Sequence, residues 1–231
     1  MFQIDRSLLA ECRDALSGDA RIHWLLGGAG SGKSTVAREL GEAFGVAVLD
    51  MDARIYGTYH TMFSPSRHPV SCRWAAADDG LSWLLDMTWK EFDSFNRASL
   101  PEYLDLLACE IRTFERTRQL VVDGGLCNPV LLSTVIDPSR IVCMKRDDLD
   151  AQRLWSEPGE RSAMRDAARA LDTTGAKWSR FLEFNDNITS TILEECSASA
   201  IPVCAWDECD SPSDVAARVA GELGLSGSPR H

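Results

Sequence analysis

The amino-acid sequence predicts a layered α/β fold, and three observations predict it. Short apolar runs rich in β-formers recur at residues 22–26, 46–49, 120–122 and 141–144, with a weaker fifth at 200–205. Near-continuous apolar runs of this length suit strands buried on both faces, as in a parallel sheet. Helical patterns separate the runs, and strands alternating with helices imply stacked layers. A chain of 231 residues can bury a sizeable core. With 26% charged and 45% apolar residues it sits at the globular average, which excludes a fibrous repeat or a disordered chain.

The elements follow in order. The first run leads into Gly27-Gly28-Ala29-Gly30-Ser31-Gly32-Lys33-Ser34-Thr35, after which Val36-Ala37-Arg38-Glu39-Leu40 continues as a helix. The second run ends in Asp50-Met51-Asp52. Residues 56–96 carry Pro65, Pro69, Asp78-Asp79-Gly80 and the tryptophans 74, 83 and 89, and they read as a substrate-facing subdomain inserted between two strands. A helix is expected from Ser99, where Ser99 and Glu102 form a capping box around Pro101 and Leu100, Leu104, Leu107, Ile111 and Phe114 repeat at helical spacing. Residues 178–196 and 213–223 are helical, and the Gly/Ser/Pro-rich end from Gly224 should fray.

Charge narrows the function. The balance 24 − 35 = −11 disfavours nucleic acid or an anionic membrane as partner, since both reward a basic patch. No apolar run reaches the roughly 18–20 residues of a membrane span, and the first residues lack a signal-peptide pattern, so a cytoplasmic protein is expected. Eight scattered cysteines without a Cys-x-x-Cys pair read as free thiols.

Residues 27–35 match the phosphate-binding pattern Gly-x4-Gly-Lys-Ser/Thr in full, between a strand and a helix. Glycines let successive backbone N–H groups turn inward on a polyphosphate, and the helix N-terminus adds its positive end. Gly28, Ala29, Gly30, Ser31, Gly32, Lys33, Ser34 and Thr35 are thus the expected nucleotide-binding residues. Lys33 should bridge the β- and γ-phosphates, and Ser34 should offer its hydroxyl to Mg²⁺.

Strand alternation points Asp50 and Asp52 the same way at the carboxyl edge of the sheet, where open α/β folds bind ligands. One acid can hold the metal's water shell while the other takes a proton from an acceptor hydroxyl. Either can instead be a capping aspartate. Asp123, ahead of Gly124-Gly125, ends the third run and is the expected Walker B-type Mg²⁺ acid, giving Ser34, Asp50 and Asp123 as the metal set. Arg153, Arg161 and Arg165 flank Pro158-Gly159, on a segment able to bring guanidinium groups over the phosphates or to remain a solvated helix. Arg54, Arg67, His68 and Arg73 can recognise an anionic acceptor or simply be solvated. The insert's aromatics can line an acceptor pocket or form subdomain core, and Asn185 and Asn187 can reach the site.

On Gly27 to Thr35, Asp50-Met51-Asp52, Asp123-Gly124-Gly125, the arginine-bearing stretch 153–165 and the closing strand and helix, the chain resembles the P-loop small-molecule and nucleotide kinases. Its layout is closest to the shikimate and gluconate kinase group, with adenylate kinase more distant. The resemblance implies a three-layer α/β/α fold with a five-stranded parallel sheet in the order 2-3-1-4-5. It further implies an acceptor-binding insert, here at about 55–98, and an arginine-bearing lid, here at about 147–170. The whole makes one domain over 1–224, with 225–231 a flexible tail. Carried over, Asp52 contacts the acceptor hydroxyl, Gly124 and Gly125 line the acceptor pocket, Arg153 lies near the adenine and Arg161 in the lid. The chain departs from the shikimate pattern in its long aromatic insert and in a lid reading Glu157-Pro158-Gly159-Glu160-Arg161.

The leading expectation is an ATP- and Mg²⁺-dependent kinase, monomeric or homodimeric, acting on a hydroxyl of a small molecule. In this reading Lys33, Asp52 and Arg161 are catalytic, and Asp52, Arg54, Arg73, Gly124 and Gly125 bind the acceptor. The competing readings are a nucleoside monophosphate kinase-like enzyme with a phosphate acceptor, and a P-loop ATPase or nucleotide switch.

Overall fold

A computed structural model of the chain describes residues 1–115, 117–148, 150–156 and 161–225. Five strands form one all-parallel sheet: β1 (Ile22–Leu26), β2 (Ala47–Asp50), β3 (Leu120–Asp123), β4 (Ile141–Arg146) and β5 (Val203–Trp206), in the order β2-β3-β1-β4-β5. Alternation along the central strands sorts their side chains into two cores. Ile22, Trp24 and Leu26 of β1, with Leu120, Val122, Ile141 and Cys143, pack on one face. Leu25, Val121, Val142 and Met144 pack on the other. Both faces are covered, so the central strands read as unbroken apolar runs. The edge strands do not: Val48 and Val203 are exposed.

Eleven helical segments cover the sheet among the described residues: α1 (Arg6–Leu16), α2 (Lys33–Phe44), α3 (Met51–Ala53, one turn), α4 (Pro69–Ala75), α5 (Gly80–Leu85), α6 (Trp89–Ile111), α7 (Pro129–Leu132), α8 (Ala151–Ser156), α9 (Ser162–Ala170), α10 (Ala176–Ala198) and α11 (Pro212–Glu222). Helices α2 and α11 form one layer through Val36, Ala37 and Leu40 against Val215, Val219 and Ala220. Helices α1, α6 and α10 contribute to the other core. A π-helical turn, Arg54–Thr58, and a 3-10 turn, Tyr59–Thr61, follow α3. Residues 157–160 and 226–231, which include the Glu157-Pro158-Gly159-Glu160 stretch and nearly all of the tail, lie outside the described residues.

Two sequence expectations are corrected. Helix α6 starts ten residues before Ser99: Thr88 accepts from the Glu91 N–H, and Glu91 returns a carboxylate to the Thr88 N–H at 2.9 Å, a complete capping box. Ser99 is buried mid-helix, and Glu102 faces away from its own helix to accept from Val70 and Ser71 N–H (2.9 and 2.7 Å), satisfying the first turn of α4. The insert therefore has no boundary near residue 98, because α6 runs unbroken from it into the core. Strand alternation also fails beyond Asp50, where the chain turns into α3.

Replacing the cap Thr88→Ala should lower unfolding free energy by about 1 kcal/mol. Replacing the fully buried Leu107→Ala should lower it by about 2–5 kcal/mol. Urea unfolding followed by circular dichroism checks both.

Candidate active site

The carboxyl ends of β1, β2 and β3 meet at one edge, since Asp50 stands opposite Asp123 and Leu25 opposite Asp123 in the ladders. The glycine-rich loop leaves β1 there and opens α2. Its glycines are demanded by packing: at Gly32, with φ +87°, a Cβ would lie 2.1 Å from the Trp206 ring. Trp206, ending β5, donates its indole N–H to the Ser31 carbonyl at 2.7 Å and carries the Arg146 guanidinium 4.6 Å above its ring. Trp206 was not singled out from the sequence, although a large aromatic closing the last strand was a usable signal.

Lys33 donates to the carbonyls of Gly27 and Gly28, at 2.9 and 3.0 Å. A Cβ on Gly124, φ +71°, would lie 2.9 Å from Asp52 Oδ2 and 3.4 Å from Lys33 Cε, so these two side chains converge over one glycine. Asp52 is exposed, with Lys33, Asp50 and Asp123 as its charged neighbours. Desolvation pushes its carboxyl above the usual aspartate range, reinforced by Asp50 and Asp123 and opposed by Lys33 and a hydrogen bond from the Gly125 N–H. Asp123 is buried and also raised by desolvation, although Ser34 hydrogen-bonds to it; its Oδ1 has no hydrogen-bond partner among the described residues. Asp50 spends Oδ1 on the Ala53 N–H at 2.8 Å, which caps α3 and holds Asp52 in its first turn.

From this cluster a cleft of about 360 Å³ runs toward the insert. Helices α6 and α10 supply facing stripes at helical spacing: Phe92, Phe95 and Asn96 from one, Phe181, Phe184 and Asn185 from the other, with Phe92 and Phe184 rings 4.6 Å apart. Trp74, Trp155, Gly124 and Gly125 also line it. Asn187 is absent from this lining.

A second cavity, about 340 Å³, lies on the outer side of the loop between Gly30, Gly32 and Thr35 and the guanidinium-bearing Arg146, Arg153 and Arg161. Arg153 also donates to the Asp148 carbonyl, and Arg165 pairs with Asp166.

The other predicted acceptor cations lie outside the cleft. Arg54 is ion-paired to Glu110 at 2.7 Å, with Tyr59 on the same carboxylate at 2.6 Å. Arg67 grips Asp105 through two nitrogens and reaches Glu11, while His68 faces Asp105. Arg73 lies over the Phe2 ring at 5.8 Å.

Ser34 with Asp123 fits a Mg²⁺ ion, which takes one or two protein oxygens and fills its remaining positions with water and phosphate. No cluster of three His, Cys, Asp or Glu able to hold a metal occurs among the described residues. No family model matches the chain, and no curated protein matches it.

Proposed function

We propose that this chain is an MgATP-dependent kinase of the P-loop type that moves the γ-phosphoryl group to a hydroxyl of a small acceptor. The observation that carries the reading is the convergence of Lys33 and Asp52 over Gly124, between a glycine-rich loop and an aromatic-walled cleft. Phosphates cradled by the loop and an acceptor seated in the cleft would meet at that point.

In this reading the N–H groups of residues 28–35 take the polyphosphate, and Lys33 exchanges the Gly27 and Gly28 carbonyls for β- and γ-phosphate oxygens. Ser34 and Asp123 would hold a Mg²⁺ ion, which would supply positive charge to the phosphate oxygens. Asp52 accepts the acceptor's proton. Its raised affinity for protons makes it a stronger base toward the hydroxyl proton than an ordinary aspartate. Asp50 acts through Asp52, fixing its turn and adding charge beside it. Arg153 and Arg161 face the outer side of the loop, from the lid segment, where they can balance charge on the nucleotide. The phosphate-acceptor alternative is disfavoured because Arg54, Arg67 and Arg73 are engaged away from the cleft.

The first test is ADP release from MgATP, with and without pooled alcohols, sugars and nucleoside monophosphates. Acceptor-dependent release is expected, and release indifferent to every pool would favour an ATPase. Lys33→Ala should lower turnover by roughly 10²-fold or more. Asp52→Asn should lower kcat by about 10²–10⁴-fold while leaving the affinity for an ATP analogue unchanged. In the wild type, kcat/KM should fall on the acid side with a midpoint above the ordinary aspartate value of 3.8, a limb that the Asn variant lacks.

The same carboxyl affects stability. Because the folded state raises its pKa, its contribution is neutral below 3.8, becomes increasingly destabilising as pH rises above 3.8, and reaches its full cost once pH exceeds the folded value. Asp52→Asn should therefore raise Tm at pH near 7, with the gain vanishing in acid.

A further inference from the structure

We infer that the acceptor is a largely apolar alcohol that bears an aromatic ring and no anionic group; this rests on the kinase reading and names its substrate class. The charge inventory of the cleft leads to it. Among the described residues lining it, Lys33 and Asp52 are the charged side chains, and both belong to the transfer machinery. An acceptor carrying a carboxylate or phosphate group would lose its hydration in the aromatic part of the cleft without gaining a counter-ion there.

The walls fit the opposite kind of molecule. Rings from the turn after α3 and from α4, α6, α8 and α10 surround the space, with Trp155 and Phe181 edge to face at 4.7 Å. Most large apolar side chains of this protein are buried, but Tyr56 (63% exposed) and Met164 (45% exposed) stand open, and both line this cleft. An apolar acceptor would cover them.

The uncharged polar groups of the lining are few. The Trp155 indole N–H is buried with no acceptor among the described residues, and the Asn96 amide makes no side-chain hydrogen bond there. They can serve a carbonyl, ether or second hydroxyl of the ligand. The volume, about 360 Å³, lies near the small end of small-molecule sites.

The transfer balances as follows. The acceptor oxygen bonds to the γ-phosphorus of ATP as the bond from that phosphorus to the β–γ bridging oxygen breaks. Asp52 takes the hydroxyl proton, and ADP leaves with the electron pair of the broken bond.

The test compares naphthylethanol, its ring-carboxylated analogue, glucose, gluconate and cytidine monophosphate on the full chain. Two readouts are taken: quenching of tryptophan fluorescence without nucleotide, since Trp74 and Trp155 line the cleft, and phosphorylated product by mass spectrometry with MgATP. Naphthylethanol should quench saturably and be phosphorylated, and the carboxylated analogue should be about 10-fold or more poorer in both. Met164→Arg, at an exposed site that cannot disturb the core, and Leu84→Arg, on the half-buried wall, should reverse that preference without changing the affinity for a fluorescent ATP analogue.

Phosphorylation of gluconate, glucose or cytidine monophosphate with naphthylethanol inert would overturn the acceptor class and leave the kinase standing. Saturable binding of naphthylethanol with no transfer to any alcohol would overturn the kinase reading, and the acceptor role with it.

Discussion

The candidate site depends on one strand pairing, β1 with β3. Their ladder continues past the strands, with the Gly124 N–H donating to the Leu25 carbonyl at 3.0 Å, while the fully buried Trp24 indole donates to the Gly124 carbonyl at 3.1 Å. Both backbone groups of Gly124 are thereby held at the point where a side chain would collide with Asp52. The same register sets Asp123 beside the start of the glycine-rich loop and, through β2, opposite Asp50. Three carboxylates and a lysine thus reach one edge because backbone hydrogen bonds bring them there, and a one-residue slip would turn each strand side chain to the other face.

That arrangement carries an electrostatic cost. Asp52 and Asp123 are both desolvated, and each feels Asp50 as a further like charge. Lys33 offsets part of this, yet its own donors are committed to the loop carbonyls. A fold selected only for stability would not gather these groups, and clusters of shifted titratable residues at the mouth of a cleft are the usual mark of a functional site. Asp50 shows how an acid at the right edge can serve indirectly: it caps the turn that presents Asp52.

What was legible in the sequence was local. The central strands announced themselves because covering both faces makes them continuously apolar, and the glycine-rich loop did so because backbone donors can approach a ligand only where side chains are absent. The start of α6 was misread because Ser99, Pro101 and Glu102 imitate a capping box. Glu102 is in fact committed to the N-terminus of α4, 31 and 32 residues away in sequence. Arg54 and Arg67 looked available for an anion for the same reason: their partners Glu110 and Asp105 are dozens of residues distant on α6. Spacing carries no record of such pairings.

The two ends of the site therefore differ in how they are encoded. The glycine-rich loop is built by backbone from one contiguous stretch, and few side chains decide its shape. The cleft is built by side chains spread from Ile55 to Ile192, most of which also belong to the core. Phe92, Phe181 and Phe184 hold α6 and α10 together and at the same time form the cleft wall. A wall so embedded resists change in shape, and its rings offer no counter-ion to an anion. Under the proposed phosphoryl transfer it would also keep water from the reacting group once a ligand fills it, because the rings that would contact the ligand are the rings that seal the helices behind it.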